Sequence, residues 1–269
     1  MPEINISRKE IKRQTGGSGF LGHLIDHNLT YGRDVIRNFL FKAAPYCNVV
    51  DLGAGSGIDL TIAKEINKDS VLTAIECGRV YSDNLTKKGF KVISINIEKN
   101  IFPFEDESVD IFIANQVIEH TKEIFWILHE ISRCLKVGGH LILGVPNLAS
   151  LHNRFLLLVG EHPTQLKCYS AHVRGFTRND TIKFFKEVWD DGYCLRKFSG
   201  SQFYPFPNKI AKILPKFFPS MSFSIFFLLK KNKKYINEFL IYPIVKELET
   251  PFYIGQNSEL YQYYVKQIL

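Results

Sequence analysis

The residues most able to do chemistry begin at Asp51. Val49-Val50-Asp51-Leu52-Gly53-Ala54-Gly55-Ser56-Gly57 reads as a buried strand running into a glycine-rich turn that opens a helix. Such a turn brings backbone close to a ligand and aims free amide groups at it. A dinucleotide site of the G-x-G-x-x-G type needs a small third residue for close helix packing. Here that position is Ile58, and the glycines stand instead at 53, 55 and 57, with an acid two residues before the first. Glu76 follows at the end of the next apolar run, where a carboxylate can accept both hydroxyls of a ribose. A second group of reactive side chains lies later. Glu119-His120 is followed by a stretch that concentrates His152, Arg154, His162, His172 and Arg174, groups that move protons or hold anions.

The elements that must position these groups alternate. Short β-branched runs at Asn48–Asp51, Ser70–Ile75, Lys91–Ile95, Val109–Ala114 and His140–Val145 are separated by helix-length segments, the pattern of an α/β domain with a mostly parallel sheet. Ile124, Ile127, Leu128, Ile131 and Leu135 recur at three- and four-residue steps, predicting a helix with one apolar stripe that Gly138-Gly139 ends. Leu148–Gly175 carries little regular pattern. Thr177 is placed to cap a following helix, with Asp180 in its first turn. Tyr193–Phe198 and Ser222–Leu229 are two further strands, and the prolines at 205, 207, 215 and 219 exclude one long helix between them. The segment from Tyr235 onward is aromatic-rich and has no assigned element.

Composition narrows the class. A chain of 269 residues that is 45 % hydrophobic can build a real core and is not disordered. Cys47, Cys77, Cys134, Cys168 and Cys194 are widely spaced and odd in number, which argues against a disulfide framework or structural zinc and fits a reducing cytoplasm. The polar, basic residues 1–17 do not read as a secretory signal, and Phe223–Leu229 is too short to cross a bilayer. The formal charge of +7 is matched by the seven lysines between Lys209 and Lys234, a span without any acid. That segment either meets an anionic partner or is a solvated face.

In this order the motifs resemble class I S-adenosylmethionine-dependent methyltransferases. The resemblance runs from the Asp51–Gly57 loop and Glu76 through Asn96-Ile97-Glu98, Phe102–Asp110, Asn115-Gln116-Val117-Ile118-Glu119-His120 and Leu135–Leu143, roughly residues 47–147. It implies a Rossmann-like, seven-stranded, mostly parallel sheet with the last strand antiparallel. It also implies S-adenosyl-L-methionine as cofactor, S-adenosyl-L-homocysteine as product, and a cofactor site of Asp51, Gly53, Ala54, Gly55, Gly57, Glu76, Cys77, Asn96, Ile97, Asn115 and Gln116. Relatives usually carry Asp where Asn96 stands; an amide oxygen can still accept from an adenine amino group, without the charge. Residues 145–154 and 172–177 look closest to bacterial surface-polysaccharide methyltransferases, which act in capsule and O-antigen pathways.

Methyl transfer needs an acceptor held in line, water excluded and, for a hydroxyl, a proton removed. The segment 115–118 lacks the proline-aromatic motif with which nitrogen-methylating relatives grip planar acceptors, which shifts weight to oxygen. His172 and His152 rank ahead of His120 as the base. Arg154 and Arg174, with Tyr31 and Arg33 of a lid around His23–Arg33, are assigned to an anionic acceptor, a small molecule or nucleotide-linked sugar. No ligand cluster has metal spacing, so no metal is expected. The resulting organisation is a cap over 1–46, a methyltransferase domain over 47–234 with an acceptor loop at 148–177 and an insertion at 201–219, and a C-terminal extension over 235–269. The leading reading is an O-methyltransferase of a sugar hydroxyl or a phosphoryl- or phosphoramidate-type oxygen. Nucleic-acid (RNA) methylation and a non-catalytic cofactor-binding subunit are the alternatives, and the oligomeric state, homodimer included, stays open.

Overall fold

Seven strands make one sheet in the computed structural model, which describes residues 32–249 and 252–255. They are β1 (Asn48–Leu52), β2 (Val71–Ile75), β3 (Lys91–Ile93), β4 (Val109–Asn115), β5 (Leu135–Pro146), β6 (Tyr193–Ser201) and β7 (Ser224–Lys231). Their order is β3-β2-β1-β4-β5-β7-β6. The first five pair in parallel, and β7 runs antiparallel to both β5 and β6, as the sequence predicts. Leu52 pairs with Ile75 on one side and Ala114 on the other. The loops after β1, β2 and β4 therefore leave the sheet at one level, along its C-terminal edge.

Strand residues alternate between two cores because successive side chains point to opposite faces. Val50, Leu52, Phe112, Ala114, Leu141, Leu143, Phe227 and Leu229 face one core, while Val49, Ile111, Ile113, Ile142, Phe226 and Leu228 face the other. The second core is closed by α1 (Arg33–Ala43), α2 (Ile58–Ile66) and α3 (Arg79–Lys87). Ile36, Phe39 and Leu40 of α1 are fully buried there, each contributing roughly 1.5–3 kcal/mol.

The first core is closed by α4 (Ile124–Cys134), α6 (Arg178–Val188) and α8 (Glu238–Val245). The predicted single stripe of α4 is only part of its buried surface, since Trp126, His129, Glu130 and Ser132 are buried as well. Tyr235 against His129, and Phe252 and Tyr253 against Phe125 and Trp126, cover what would be the polar face. Tyr235 and Phe239, from the segment with no predicted element, belong to the same core as the sheet.

Two local expectations change. Gly138-Gly139 does not end α4, which stops at Cys134 as Leu135 turns extended and starts β5. The pair lies inside β5, where the register against β4 jumps from Val109–Leu135 to Ile111–His140. Gly138 takes a φ of +88°, and a Cβ on Gly139 would stand 2.9 Å from the Asp110 carbonyl oxygen, so the bulge needs both glycines. The stretch 148–175 is also more regular than its sequence suggests, holding α5 (Leu151–Leu158) and a 3-10 turn at Thr164–Leu166. Thr177 caps α6 as predicted, its hydroxyl accepting from the Asp180 amide at 3.2 Å. The remaining helix, α7 (Asn208–Phe217), starts after Pro207. Among the described residues no helix is long and apolar enough to cross a membrane.

Candidate functional site

The glycine-rich loop joins β1 to α2 along the C-terminal edge. Gly53, Gly55 and Gly57 all take left-handed φ values of +60°, +52° and +74°, which side chains resist. A Cβ at Gly53 would lie 2.8 Å from Val117, and one at Gly57 would lie 2.5 Å from Leu85. The loop thus packs directly against the segment after β4 and against α3. Glu76 clamps it from β2: one carboxylate oxygen accepts from the Gly55 amide at 2.9 Å and the other from the Gly78 amide at 2.7 Å. Glu76 is buried, and each oxygen retains a lone pair beyond these bonds.

Beneath the loop lies a cluster of acids. Asp51 is 2 % exposed, and its carboxyl is held well above the ordinary range by burial first and then by the Asp59 and Glu76 charges, with Arg33 pulling the other way. Asp59, in the first turn of α2, is raised chiefly by burial, against the pull of Asn115 and Arg33. Its carboxylate accepts from the Asn115 side-chain amide at 2.9 Å and faces the Arg33 guanidinium at 3.7 Å. Asp59 and the Arg33 pairing were not anticipated; the only signal is an acid two residues past Gly57, where a helix N-terminus favours one.

The other residues that the sequence assigns to the cofactor follow β2, β3 and β4 at the same edge. Cys77 is exposed and free. Asn96 is exposed, and its side-chain oxygen accepts from the Glu98 amide at 2.9 Å, closing a local turn. Ile97 packs on the first core. Gln116 sits at a φ of +58°, its amide donating to the Gly144 carbonyl at 2.8 Å, and its side-chain nitrogen is buried without a partner.

The residues that the sequence assigns to the acceptor divide. His120, in the 3-10 turn Ile118–His120, stands edge-on to His172 with ring centroids 4.5 Å apart. The backbone sews the two segments together, since the Glu119 carbonyl accepts from the amides of Val173 at 2.9 Å and Arg174 at 3.3 Å. Burial pushes the Glu119 carboxyl up to about 7. Burial and the neighbouring His120 lower the His172 imidazole, while its bond to the Gln165 carbonyl opposes them. His152 is placed differently: its nitrogens meet the Ser150 hydroxyl at 3.1 Å and the Thr164 hydroxyl at 3.2 Å, and its ring stacks on Phe223. Arg174 donates to the Lys122 carbonyl at 2.9 Å and lies over the Phe252 ring. Arg154 is exposed and donates to the Ala149 carbonyl. Tyr31 and most of the proposed lid lie outside the described residues.

What holds the 148–177 loop is a buried amide network that no local sequence pattern announces. Asn147 donates to the carbonyls of Ser220 and Ser222, at 2.9 and 2.8 Å. Asn153 donates to the Asn147 carbonyl at 3.0 Å and to the Gln165 side chain at 2.6 Å. The Gln165 carbonyl in turn meets His172 Nδ1 at 3.0 Å.

Part of the chain is similar to known proteins. The methyltransferase-domain family model matches residues 50–143. A hybrid PKS-NRPS synthetase of Neonectria is 31 % identical over 135 residues, 46 % of this chain and 3 % of that protein. Malonyl-[acyl-carrier protein] O-methyltransferase 1 of Coxiella burnetii is 28 % identical over 114 residues, 41 % of this chain and 38 % of that protein. The chain thus spans well under two thirds of the length of either. The solved plantazolicin methyltransferase BpumL in complex with SAH shares the fold, with a TM-score of 0.56 at 14 % identity over 84 % of this chain and 91 % of that one. Residues 50–143 thus match a methyltransferase domain, and the strand order with the loop after β1 gives the chain the Rossmann-like fold of that solved methyltransferase.

Proposed function

We propose that the chain transfers the methyl group of S-adenosylmethionine to an oxygen, a sugar hydroxyl or a phosphoryl-type group of an anionic, nucleotide-linked or surface-polysaccharide precursor. The observation that carries this reading is the His120–His172 pair, 4.5 Å apart beside the segment whose Val117 packs on Gly53. Two proton acceptors there sit where ligands of open α/β sheets bind. On the cofactor side, Glu76 accepts from the ribose hydroxyls, and Asn96, Ile97 and Cys77 border the adenine. The backbone of Gly53, Ala54, Gly55 and Gly57, with Asp51, Asn115 and Gln116, borders the amino-acid end. The acids Asp51 and Asp59 suit the cofactor's ammonium group, which would draw their protons off.

In the reaction the acceptor oxygen attacks the methyl carbon opposite sulfur. The C–O bond forms as the C–S bond breaks, its electron pair returns to sulfur, and a hydroxyl's proton passes to an imidazole. His172 and His120 are better placed for this than His152, whose nitrogens are both engaged. Arg174 supplies a cation beside the pair for an anionic acceptor. The Coxiella relative, by its name, methylates an oxygen, which supports the element chosen. A capsule or O-antigen setting rests on the resemblance of residues 145–177. The test is release of S-adenosylhomocysteine with nucleotide sugars, with bulk RNA and with neither. Release that depends on a nucleotide sugar supports the proposal; release with RNA alone overturns it.

A further inference from the structure

We propose that Glu119, His120 and His172 bind a divalent transition-metal ion of the Zn2+ or Co2+ kind. One ligand atom from each lies within 4.8 Å of the others. The two imidazoles are already set as ligands. His120 Nδ1 lies 3.3 Å from the Ala171 carbonyl and His172 Nδ1 lies 3.0 Å from the Gln165 carbonyl. A carbonyl only accepts, so each Nδ1 carries the hydrogen and each Nε2 offers a lone pair, the arrangement that backbone carbonyls impose on metal-bound histidines.

The independent observation is Glu119. Its side chain is 1 % exposed, and neither carboxylate oxygen receives a hydrogen bond from another residue. His120 Nε2 lies 4.0 Å from Oε1. A buried carboxylate without a partner is strongly disfavoured. A dication shared with two neutral imidazoles would satisfy it. Ions bonded at about 2.1 Å hold tetrahedral ligands roughly 3.4 Å apart, so the cluster must tighten. The His120 side chain, 44 % exposed, has room to do so. Two nitrogens and one carboxylate favour a borderline ion over Mg2+ or Ca2+. Three protein ligands leave positions for an acceptor's oxygens, where an ion lowers a hydroxyl's pKa; with both Nε2 lone pairs on the ion, the ion replaces the imidazole as the group that activates the hydroxyl, and its proton leaves to solvent. The set has no signature in the sequence, because His172 reaches Glu119-His120 only through the fold.

The ion's role in catalysis rests on the acceptor-side reading above, but its binding does not, and it is measured without any acceptor. The full chain, stripped with a chelator, is titrated with CoCl2 and followed by visible absorption, and its melting temperature is read with and without ZnCl2. One saturable equivalent is expected, with no thiolate charge-transfer band and a raised melting temperature. Glu119→Gln, His120→Ala and His172→Ala should each weaken binding at least tenfold and abolish the thermal shift, while His162→Ala, at an exposed histidine outside the cluster, leaves both unchanged. Glu119→Gln keeps the side chain's shape and removes its buried charge, so loss of the ion in that variant is not loss of the fold; its cofactor affinity should match the wild type. Absence of saturable binding, a thiolate band, or binding that survives all three substitutions overturns the site. An ion that binds to a chain inactive on every hydroxyl acceptor would leave the site standing and remove the acceptor reading instead.

Discussion

Glu76 has two tasks at once. Its oxygens hold the Gly55 and Gly78 amides, at 2.9 and 2.7 Å, and the same oxygens are proposed to receive the ribose. Glu76→Ala removes a charged acceptor from two hydroxyls, each bond worth roughly 1.5–3 kcal/mol, and also frees the loop. Cofactor affinity measured by calorimetry should fall at least tenfold; an unchanged dissociation constant refutes the ribose assignment. The opposite split is expected across the cleft. His172→Ala and Arg174→Ala should lower turnover about a hundredfold, the range of a lost acid–base group, with cofactor affinity nearly intact. Wild-type turnover in both would place the pocket elsewhere. The place of Glu76 beside the loop was legible in the sequence because it depends on a local signal, an acid closing the strand after a glycine loop. The His120–His172 contact and the Asp59–Asn115 bond were not, since each joins segments far apart in the chain.

At the scale of elements, α4 is fastened to the loop before β4 by Glu130 and Arg133. Arg133 donates to the carbonyls of Phe102 and Phe104, at 3.0 and 2.9 Å, and to Glu130 at 2.7 Å. Burial alone would raise the Glu130 carboxyl, but bonds from His129, Arg133 and the Phe102 amide outweigh it and bring it down to about 2. A folded value below the ordinary 4.5 means that the unfolded chain binds the proton more readily. The stability this group contributes is complete above about pH 4.5 and is lost as pH falls toward about 2, roughly 3 kcal/mol in all. Denaturant unfolding between those pH values should show this loss, and Glu130→Gln should flatten that part of the profile. An equally steep profile in the variant would remove Glu130 as its cause. The sequence marks α4 by its apolar period and is silent on this clasp, because polar residues bonded inside a core look like a solvated face in one dimension. The Gly138-Gly139 pair is a similar case: two glycines announce a backbone irregularity without saying whether it ends a helix or bulges a strand.

Across the whole molecule the fold redistributes the charge that the sequence presents as one basic segment. The seven lysines between Lys209 and Lys234 separate along the sheet. Lys230 and Lys231 end β7 next to His140 and Tyr193, at the edge remote from the cofactor loop. Lys231 is wholly buried, its ammonium spent on the carbonyls of Ser132 and Leu135 and on Glu107. Lys212 and Lys216 of α7 instead join Lys197 along a groove of about 410 Å³ between α1, the end of β6 and α7. A nucleic acid spanning all seven lysines would release counterions with a slope of log affinity on log salt near −5, at about −0.7 per phosphate of a single strand. The three lysines of the groove support a slope of only about −2. We therefore expect single-stranded RNA, followed by fluorescence anisotropy from low to physiological salt, to bind weakly and with the shallower slope. Lys212→Ala combined with Lys216→Ala should remove most of what slope there is. A slope near −5 that survives this double substitution would mean that RNA follows basic residues other than those of this groove, and would favour the nucleic-acid reading of the acceptor.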